Sequence, residues 1–302
     1  MEKFPLVSIV TPAYNQAEYL DETIQSVLSQ DYPNIEYIVI DDGSTDNTPE
    51  VLQKYTGRIY HERQPNMGQA KVLNRGWTMA KGSLIGYLSS DDRLEPFAIS
   101  RLVQTLQQHA DASVAYCDFT LIDDKGKKFI TVHAEDYNEK RLIVDLVCQP
   151  GPGALFRKEV YERTGGWRED LKQVADFEFW LRASKFGPFV RVPQVLANYR
   201  VHEGSASFRV ISYERSMEII DVMKDYWNGR QDKKQVASMS AAYLISARSH
   251  AQSKRIKVSF KQISNAIKLK RSNLANFKLW RMLLGGIFRR YLYRIRRNSK
   301  IR

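Results

Sequence analysis

Leu84-Ile85-Gly86-Tyr87-Leu88-Ser89-Ser90-Asp91-Asp92 is an apolar run that ends in two carboxylates. The same pattern occurs earlier, where Ile35-Glu36-Tyr37-Ile38-Val39-Ile40 leads into Asp41-Asp42. Two buried strands that each stop in paired acids set several negative charges along one edge of a sheet. Such an edge is costly unless a cation or hydrogen-bond donors fill it. A divalent metal bound to a nucleotide diphosphate would do so. Either pair taken alone reads equally well as an acidic turn in water.

Outward from these two stretches, strands and helices alternate. Leu6–Thr11 predicts a strand. Asn15 can cap a helix whose apolar face is Leu20, Ile24, Val27 and Leu28, at helical spacing. Thr48–Tyr55 suits a short helix, Arg58–His61 a strand, Gln69–Ala80 a helix ended near Lys81-Gly82, and Pro96–Gln108 another helix. The rhythm predicts a Rossmann-type α/β fold, a mostly parallel sheet with helices on both faces. Ligands of such sheets bind at the carboxyl ends of the strands, where both acid pairs lie.

Beyond residue 113 the pattern changes. Ser113–Asp123 reads as a strand, Asp124-Lys125-Gly126-Lys127 as its hairpin turn, Glu135–Val147 as a helix and Gln149-Pro150-Gly151-Pro152-Gly153 as a loop. Asp176–Phe186 fits a helix and Phe189–Tyr199 an extended segment. From about Phe208 the chain reads almost entirely as helix, so two regions are expected: residues 1–207, and a helical extension, 208–302.

The charge is divided in the same way. The 302 residues carry a formal net charge of +12, but residues 229–302 hold 20 Lys+Arg against one acid, Asp232, whereas residues 1–228 hold 26 Lys+Arg against 33 acids. Within 276–302, Trp280, Leu283, Leu284, Ile287, Tyr291 and Ile295 make one helical stripe flanked by arginines. That is the pattern of an interfacial helix on an anionic membrane surface. A solvated basic face packed on the chain's own domain or on a second subunit is the blander reading, and the apolar faces leave room for a homodimer. No nucleic-acid-binding module is evident, and nucleic acid is not expected as a partner. The two cysteines, Cys117 and Cys148, form neither a disulfide framework nor a metal-ligand spacing. With no signal-peptide pattern and no apolar run near ~20 residues, a cytoplasmic protein held peripherally at the inner face of the membrane is expected.

Val7-Ser8-Ile9-Val10-Thr11-Pro12-Ala13-Tyr14-Asn15 followed by Val39-Ile40-Asp41-Asp42-Gly43-Ser44-Thr45-Asp46 resembles the inverting family 2 glycosyltransferases of GT-A fold. The resemblance continues through Pro65-Asn66-Met67-Gly68-Gln69, Leu73-Asn74-Arg75-Gly76, Leu88-Ser89-Ser90-Asp91-Asp92, Gly151-Pro152-Gly153, Ala175-Asp176-Phe177-Glu178-Phe179-Trp180-Leu181-Arg182 and Tyr199-Arg200-Val201-His202, over roughly residues 5–205. Each motif is weak alone; their order and spacing are specific.

The resemblance implies a metal-assisted transfer of a sugar, with inversion, from a nucleotide-diphosphate donor expected to be UDP-linked to a hydroxyl, in cell-envelope or exopolysaccharide assembly with a glycan or lipid-linked acceptor. It implies nucleotide contacts at Pro12, Tyr14, Asp41, Asp42, Asn66, Gly68 and Asp91, with Asp42 accepting from a uracil N3–H. Asp91 and Asp92, with His202, are the implied ligands of Mn²⁺ or Mg²⁺, hard cations suited to oxygen ligands. Many relatives carry an acid where this chain has Ser89, and a Glu where it has Ala175. Asp176 matches the catalytic base; the residue alone reads as an acid favoured by a helix N-terminus. Gly151, Gly153 and Trp167 are assigned to the sugar or acceptor, and Arg200 to a phosphate contact. Two rivals differ in class. A nucleotidyltransferase would ordinarily show a glycine-rich phosphate loop, which Thr11-Pro12-Ala13-Tyr14-Asn15 lacks. A non-catalytic nucleotide-binding scaffold or membrane adaptor would read Ser89 as a decayed metal site.

Overall fold

The structure is a computed structural model that describes residues 3–202, 204, 205, 210–230 and 232–272. The basic segment 276–302 lies outside these. The chain divides into two units. One comprises Met1–Glu139, Cys148–Asp170 and Ala175–His202; the other comprises Lys140–Val147, Leu171–Val174 and the chain from Glu203 onward.

The first unit is built on a nine-stranded sheet, counted among the described residues. Its strands are β1 (Val7–Ala13), β2 (Ile35–Asp41), β3 (Tyr60–Arg63), β4 (Leu84–Tyr87), β5 (Arg93–Leu94), β6 (Val114–Ile122), β7 (Lys128–Val132), β8 (Leu155–Arg157) and β9 (Phe189–Arg200). They lie in the order β3-β2-β1-β4-β8-β6-β9-β5, with β7 paired to β6. The stretch β3-β2-β1-β4 is parallel, as the alternation of strands and helices predicts. Antiparallel neighbours enter at β8, which pairs with both β4 and β6, while β6 and β9 are again parallel.

Strand alternation divides the apolar residues between two faces. Val7, Ile9 and Val39 share one core with Leu20, Ile24 and Val27 of α1 (Ala17–Leu28) and with Ile99, Leu102 and Leu106 of α4 (Ala98–Gln108). On the other face, Gly76 of α3 (Gln69–Met79) packs on Val10. Beside it Trp77 stacks with Phe179 at 5.8 Å and meets Phe156 edge-on at 5.5 Å. Helices therefore cover both faces.

Three local readings differ. Asn15 does not cap α1. It adopts φ 52°, its Oδ1 accepts from Thr45 N at 2.7 Å, and the N-cap is Gln16. The first amides of that turn go instead to Thr48 Oγ1 and Asp46 Oδ2, at 3.1 and 3.0 Å. The expected helix over 135–147 shrinks to α5 (Glu139–Ile143), after α2 (Thr48–Gln53) in chain order. Finally, β8 and the short α6 (Lys158–Thr164) occupy a stretch where no element is expected. The later helix begins at Ala175, so that α7 (Ala175–Ala183) includes Asp176 in its first turn, and a 3₁₀ turn Ser184–Phe186 completes it.

The second unit contains α8 (Tyr213–Trp227), α9 (Lys233–Gln252) and α10 (Ile256–Leu269). Ser212 Oγ caps α8 by accepting from Arg215 N at 3.2 Å, and Asp232 caps α9 by accepting from Lys234 N at 2.7 Å. Arg255 closes the α9–α10 corner. It donates to His250 Nδ1 at 2.8 Å and to Ile211 O at 2.7 Å. Among the described residues no helix is long and apolar enough to cross a membrane.

Candidate active site

The acid pairs lie at the carboxyl ends of β2 and β4, in loops that pack closely enough to fix each carboxylate. Asp41, the last residue of β2, is buried; its Oδ1 accepts from Ser44 N at 2.8 Å and its Oδ2 lies 3.3 Å from Arg63 Nε. Asp42 holds the following loop. Gln64 Nε2 and Met67 N donate to its Oδ1 at 2.9 and 2.8 Å, and Gly68 N donates to its Oδ2 at 2.7 Å. A uracil N3–H directed at Asp42 would thus meet a carboxylate already engaged by three donors. Pro12 is buried within β1, while Tyr14 just beyond the strand and Asn66 in the loop are exposed.

The β4 loop is organised by a buried arginine. Arg200, at the end of β9, is only 1% exposed. Its Nε donates to Asp91 O at 2.8 Å, its Nη1 to Asp123 O and Asp124 O at 3.3 and 3.2 Å, and its Nη2 to Glu22 at 2.7 Å. Its guanidinium lies 4.7 Å from the Tyr19 ring centroid. Every arm of this side chain is committed to protein, so it holds the loop in place of the phosphate contact expected for it. Its own backbone N–H donates to Asp92 Oδ1 at 2.8 Å. Two residues on, the His202 ring lies tilted against Tyr19 at 4.8 Å and its Nε2 meets Asp91 Oδ2 at 3.0 Å.

The two aspartates therefore part company. Asp91 points to the imidazole, and Asp92 is buried against the backbone of Arg200. Burial first, and then the charge of Asp91, push the Asp92 carboxyl well above the usual carboxylate range, against the opposing pull of Arg200.

Asp176 is half-buried in the first turn of α7, and Phe177 N donates to its Oδ1 at 2.7 Å. Burial raises its carboxyl above the usual range, and that amide bond opposes the rise. Tyr87 ends β4, just ahead of the Asp91-Asp92 loop. Burial pushes this phenol up strongly, followed by the charge of Asp176, with a further contribution from Asp92. The charges of Asp176 and Asp92 thus both disfavour the Tyr87 phenolate. Glu178, two residues beyond Asp176, is buried and paired with Arg182, whose Nε and Nη2 donate to its carboxylate at 2.7 and 2.6 Å.

The residues assigned to sugar or acceptor have structural work as well. Trp167 is buried, meeting Tyr87 edge-on at 5.1 Å and Trp77 at 6.0 Å. Asn74 clamps its backbone from both sides, donating to Trp167 O and accepting from Trp167 N, each at 2.8 Å. The Trp167 indole Nε1 is buried with no hydrogen-bond partner among the described residues. A Cβ at Gly151 would lie 2.8 Å from the Phe119 ring, and Gly153 adopts φ 79° beside Leu94. Tyr19, Glu22, Asn74 and Tyr87 escaped the assignment of roles. Asn74 lies within the motif Leu73-Asn74-Arg75-Gly76 and Tyr87 within the apolar run before Asp91-Asp92, whereas Tyr19 and Glu22 lie in no motif that could have signalled them.

The donor set suits a divalent cation in one respect. Asp91 and His202 present a carboxylate oxygen and an imidazole nitrogen 3.0 Å apart. Among the described residues no group of three His, Cys, Asp or Glu is gathered for an all-protein site. One or two protein ligands completed by substrate phosphates and water is the usual arrangement for Mg²⁺ at a diphosphate.

The description "Glycosyl transferase family 2" matches residues 8–165, more than half of the chain. The chain belongs to glycosyl transferase family 2. Its family 2 relatives include an uncharacterized glycosyltransferase of Rickettsia typhi, 30% identical over 74% of this chain and 71% of that one. The chondroitin synthase of Escherichia coli is 27% identical over 71% of this chain and the hyaluronan synthase of Pasteurella multocida 27% over 74%. The matches span only 32% and 23% of those two synthases. Among solved structures, Staphylococcus aureus TarS 1-349 in complex with UDP-GlcNAc superposes with a TM-score of 0.63 at 18% identity, over 93% of this chain and 79% of that one. The mannosyltransferase PcManGT of Pyrobaculum calidifontis, in complex with GDP-Man and Mn²⁺, gives 0.62 at 16%, over 94% and 85%. At these identities the likeness is one of fold, and the fold is that of GT-A-like transferases. The chain is therefore a glycosyltransferase.

Proposed function

We propose that the protein transfers a sugar from a nucleoside diphosphate donor, UDP-linked, to a hydroxyl group of a glycan or lipid-linked acceptor, with inversion at the anomeric carbon. The observation that carries this reading is the pairing of Asp91 with His202 in the loop after β4, in a chain that sets a further carboxylate, Asp176, half-buried in the first turn of α7. The nucleotide sugars bound by two neighbours of the same fold support the donor class, and the Mn²⁺ of one supports the metal.

In this reading the β2 end and the Asp42-anchored loop, with Tyr14, Asn66 and Gly68, receive the nucleoside. Asp91 and His202 would hold Mg²⁺ or Mn²⁺, which supplies positive charge against the diphosphate of the leaving nucleotide. Asp92 stays out of that shell and keeps the loop on Arg200. Asp176 accepts the proton of the acceptor hydroxyl while that oxygen bonds to the anomeric carbon. The bond from that carbon to the diphosphate oxygen breaks on the opposite side, and the nucleotide leaves with the electron pair. A half-buried carboxylate with a raised pKa suits this role, because it takes up a proton more readily than an ordinary exposed carboxylate. Work at the inner face of the cytoplasmic membrane, in envelope or exopolysaccharide assembly, completes the proposal.

A thermal-shift panel of UDP, GDP, dTDP and CDP, each with and without Mn²⁺, tests it. A ligand at one hundred times its dissociation constant adds about 2.7 kcal/mol of stability. A Mn²⁺-dependent rise with UDP is expected. A rise with another nucleotide alone overturns the UDP assignment, and no rise with any of them overturns the donor site.

A further inference from the structure

Helix α10 packs with the wrong residues for an ordinary surface helix. The side chains it buries are Ser259, Gln262 and Ala266, two of them polar. Ser259 Oγ donates to Ala247 O at 2.8 Å, and Ser240 Oγ of α9 donates to Ala266 O at 3.0 Å. The small cluster beneath is Leu244, Ala247 and Ala266. Of the large apolar residues, Ile263 is half-buried and packs against the edge of that cluster, whereas Ile256 and Phe260 are exposed. Ile256, Phe260, Ile263 and Ile267 recur at helical spacing and fall within roughly 60° of one another around the axis. Phe260 is 66% exposed and Ile256 46%. Along the far edge of this stripe run Lys257, Lys261 and Lys268, all exposed.

We propose that this face of α10 is a docking surface for an anionic lipid bilayer, with Ile256 and Phe260 entering the acyl boundary and the three lysines meeting the headgroups. Three features select this occupant. The apolar stripe and lysine row are adjacent on one helix, which is the form of an interfacial amphipathic helix. No aspartate or glutamate follows Asp232 in the sequence, so α9 and α10 carry no acid. For the same reason a symmetric dimer through this face would bring lysine rows together without a partner charge on either helix. Finally, the surface belongs to the described helices and is separate in sequence from the arginine-rich segment 276–302. The inference needs no glycosyl transfer, since binding to vesicles is read without turnover.

The test is sedimentation of the full chain with vesicles of phosphatidylcholine alone or mixed with phosphatidylglycerol. Two variants, Phe260→Ser and the double Lys257→Glu/Lys261→Glu, are compared with wild type at matched thermal stability. The wild type is expected to bind the mixed vesicles only. Phe260→Ser should weaken that binding about tenfold by loss of apolar burial, and the charge reversal by at least as much. The proposal is overturned if the wild type does not bind, or if both variants bind as tightly as wild type, which would assign binding to another segment. It is also overturned if Phe260→Ser halves the mass seen by light scattering, which would assign the face to a second copy. Loss on charge reversal with no effect of Phe260→Ser would assign it to a purely electrostatic polyanion contact and equally overturn it.

Discussion

Replacing Arg200 by methionine keeps most of the aliphatic volume and removes the guanidinium that ties the β4 loop to its surroundings. The magnitude follows from the contacts. Three backbone carbonyls, those of Asp91, Asp123 and Asp124, lose donors at 2.8 to 3.3 Å. An acceptor left buried without a partner costs about 1–3 kcal/mol, and water reaching some of these positions lowers the sum. The Glu22 ion pair is discounted to at most about 1 kcal/mol, because that carboxylate is 47% exposed. Loss of the guanidinium over Tyr19 adds about 1 kcal/mol. The total is on the order of 3–5 kcal/mol, or a fall in Tm of roughly 10 °C for a unit of this size. Calorimetry of wild type and Arg200→Met reads the stability, and the Mn²⁺-dependent shift with UDP reads the loop. The variant should lose both, and Arg200→Lys should recover little, since an ammonium cannot reproduce the fork. A stability loss below about 1 kcal/mol, with the nucleotide shift intact, would refute the role assigned to this arginine.

Other outcomes follow from the same contacts. Asp176→Asn should make the protein more stable at pH 7–8: the raised carboxyl means that the folded state loses stability as pH rises from about 4, the unfolded value, through the folded pKa, and the amide avoids that loss. Thermal melts across pH check this, with the two proteins converging at low pH. The acid limb of kcat/KM should lie above the ordinary carboxylate range, because Asp176 must be ionised to accept a proton. His202→Ala should reduce the effect of Mn²⁺ on UDP binding, measured by titration calorimetry, while leaving metal-free UDP binding unchanged. Asn74→Ala should cost about 1–3 kcal/mol by releasing both backbone groups of Trp167, read from chemical denaturation.

The parts of this fold legible in the sequence are those set by periodicity. The strands and helices from β1 to α4, except the two-residue β5, and both acid pairs beyond strand ends follow from apolar spacing and turn residues. The hairpin of β6 and β7 follows from Asp124-Lys125-Gly126-Lys127. What was not legible depends on distant partners. Asn15 looks like a helix cap, but the β2 loop competes for it through Thr45 and Ser44. Leu155–Arg157 is too short to signal a strand and exists because β4 and β6 flank it. Asp91 and Asp92 are neighbours of the same type, and only the backbone of Arg200, far along the chain, separates their roles. Arg200 itself reads as a surface cation until the carbonyls around it are seen. On α10 the apolar pattern is plain, yet the packed face is the one lined with Ser259, Gln262 and Ala266.

The most direct measurement is NMR-monitored turnover of UDP-sugars with Mn²⁺ by wild type and Asp176→Asn, both shown to bind UDP with equal affinity. The account predicts UDP release by the wild type and a loss of about 10²–10⁴-fold in the variant, the usual contribution of a positioned base. Turnover by Asp176→Asn at the wild-type rate would contradict it.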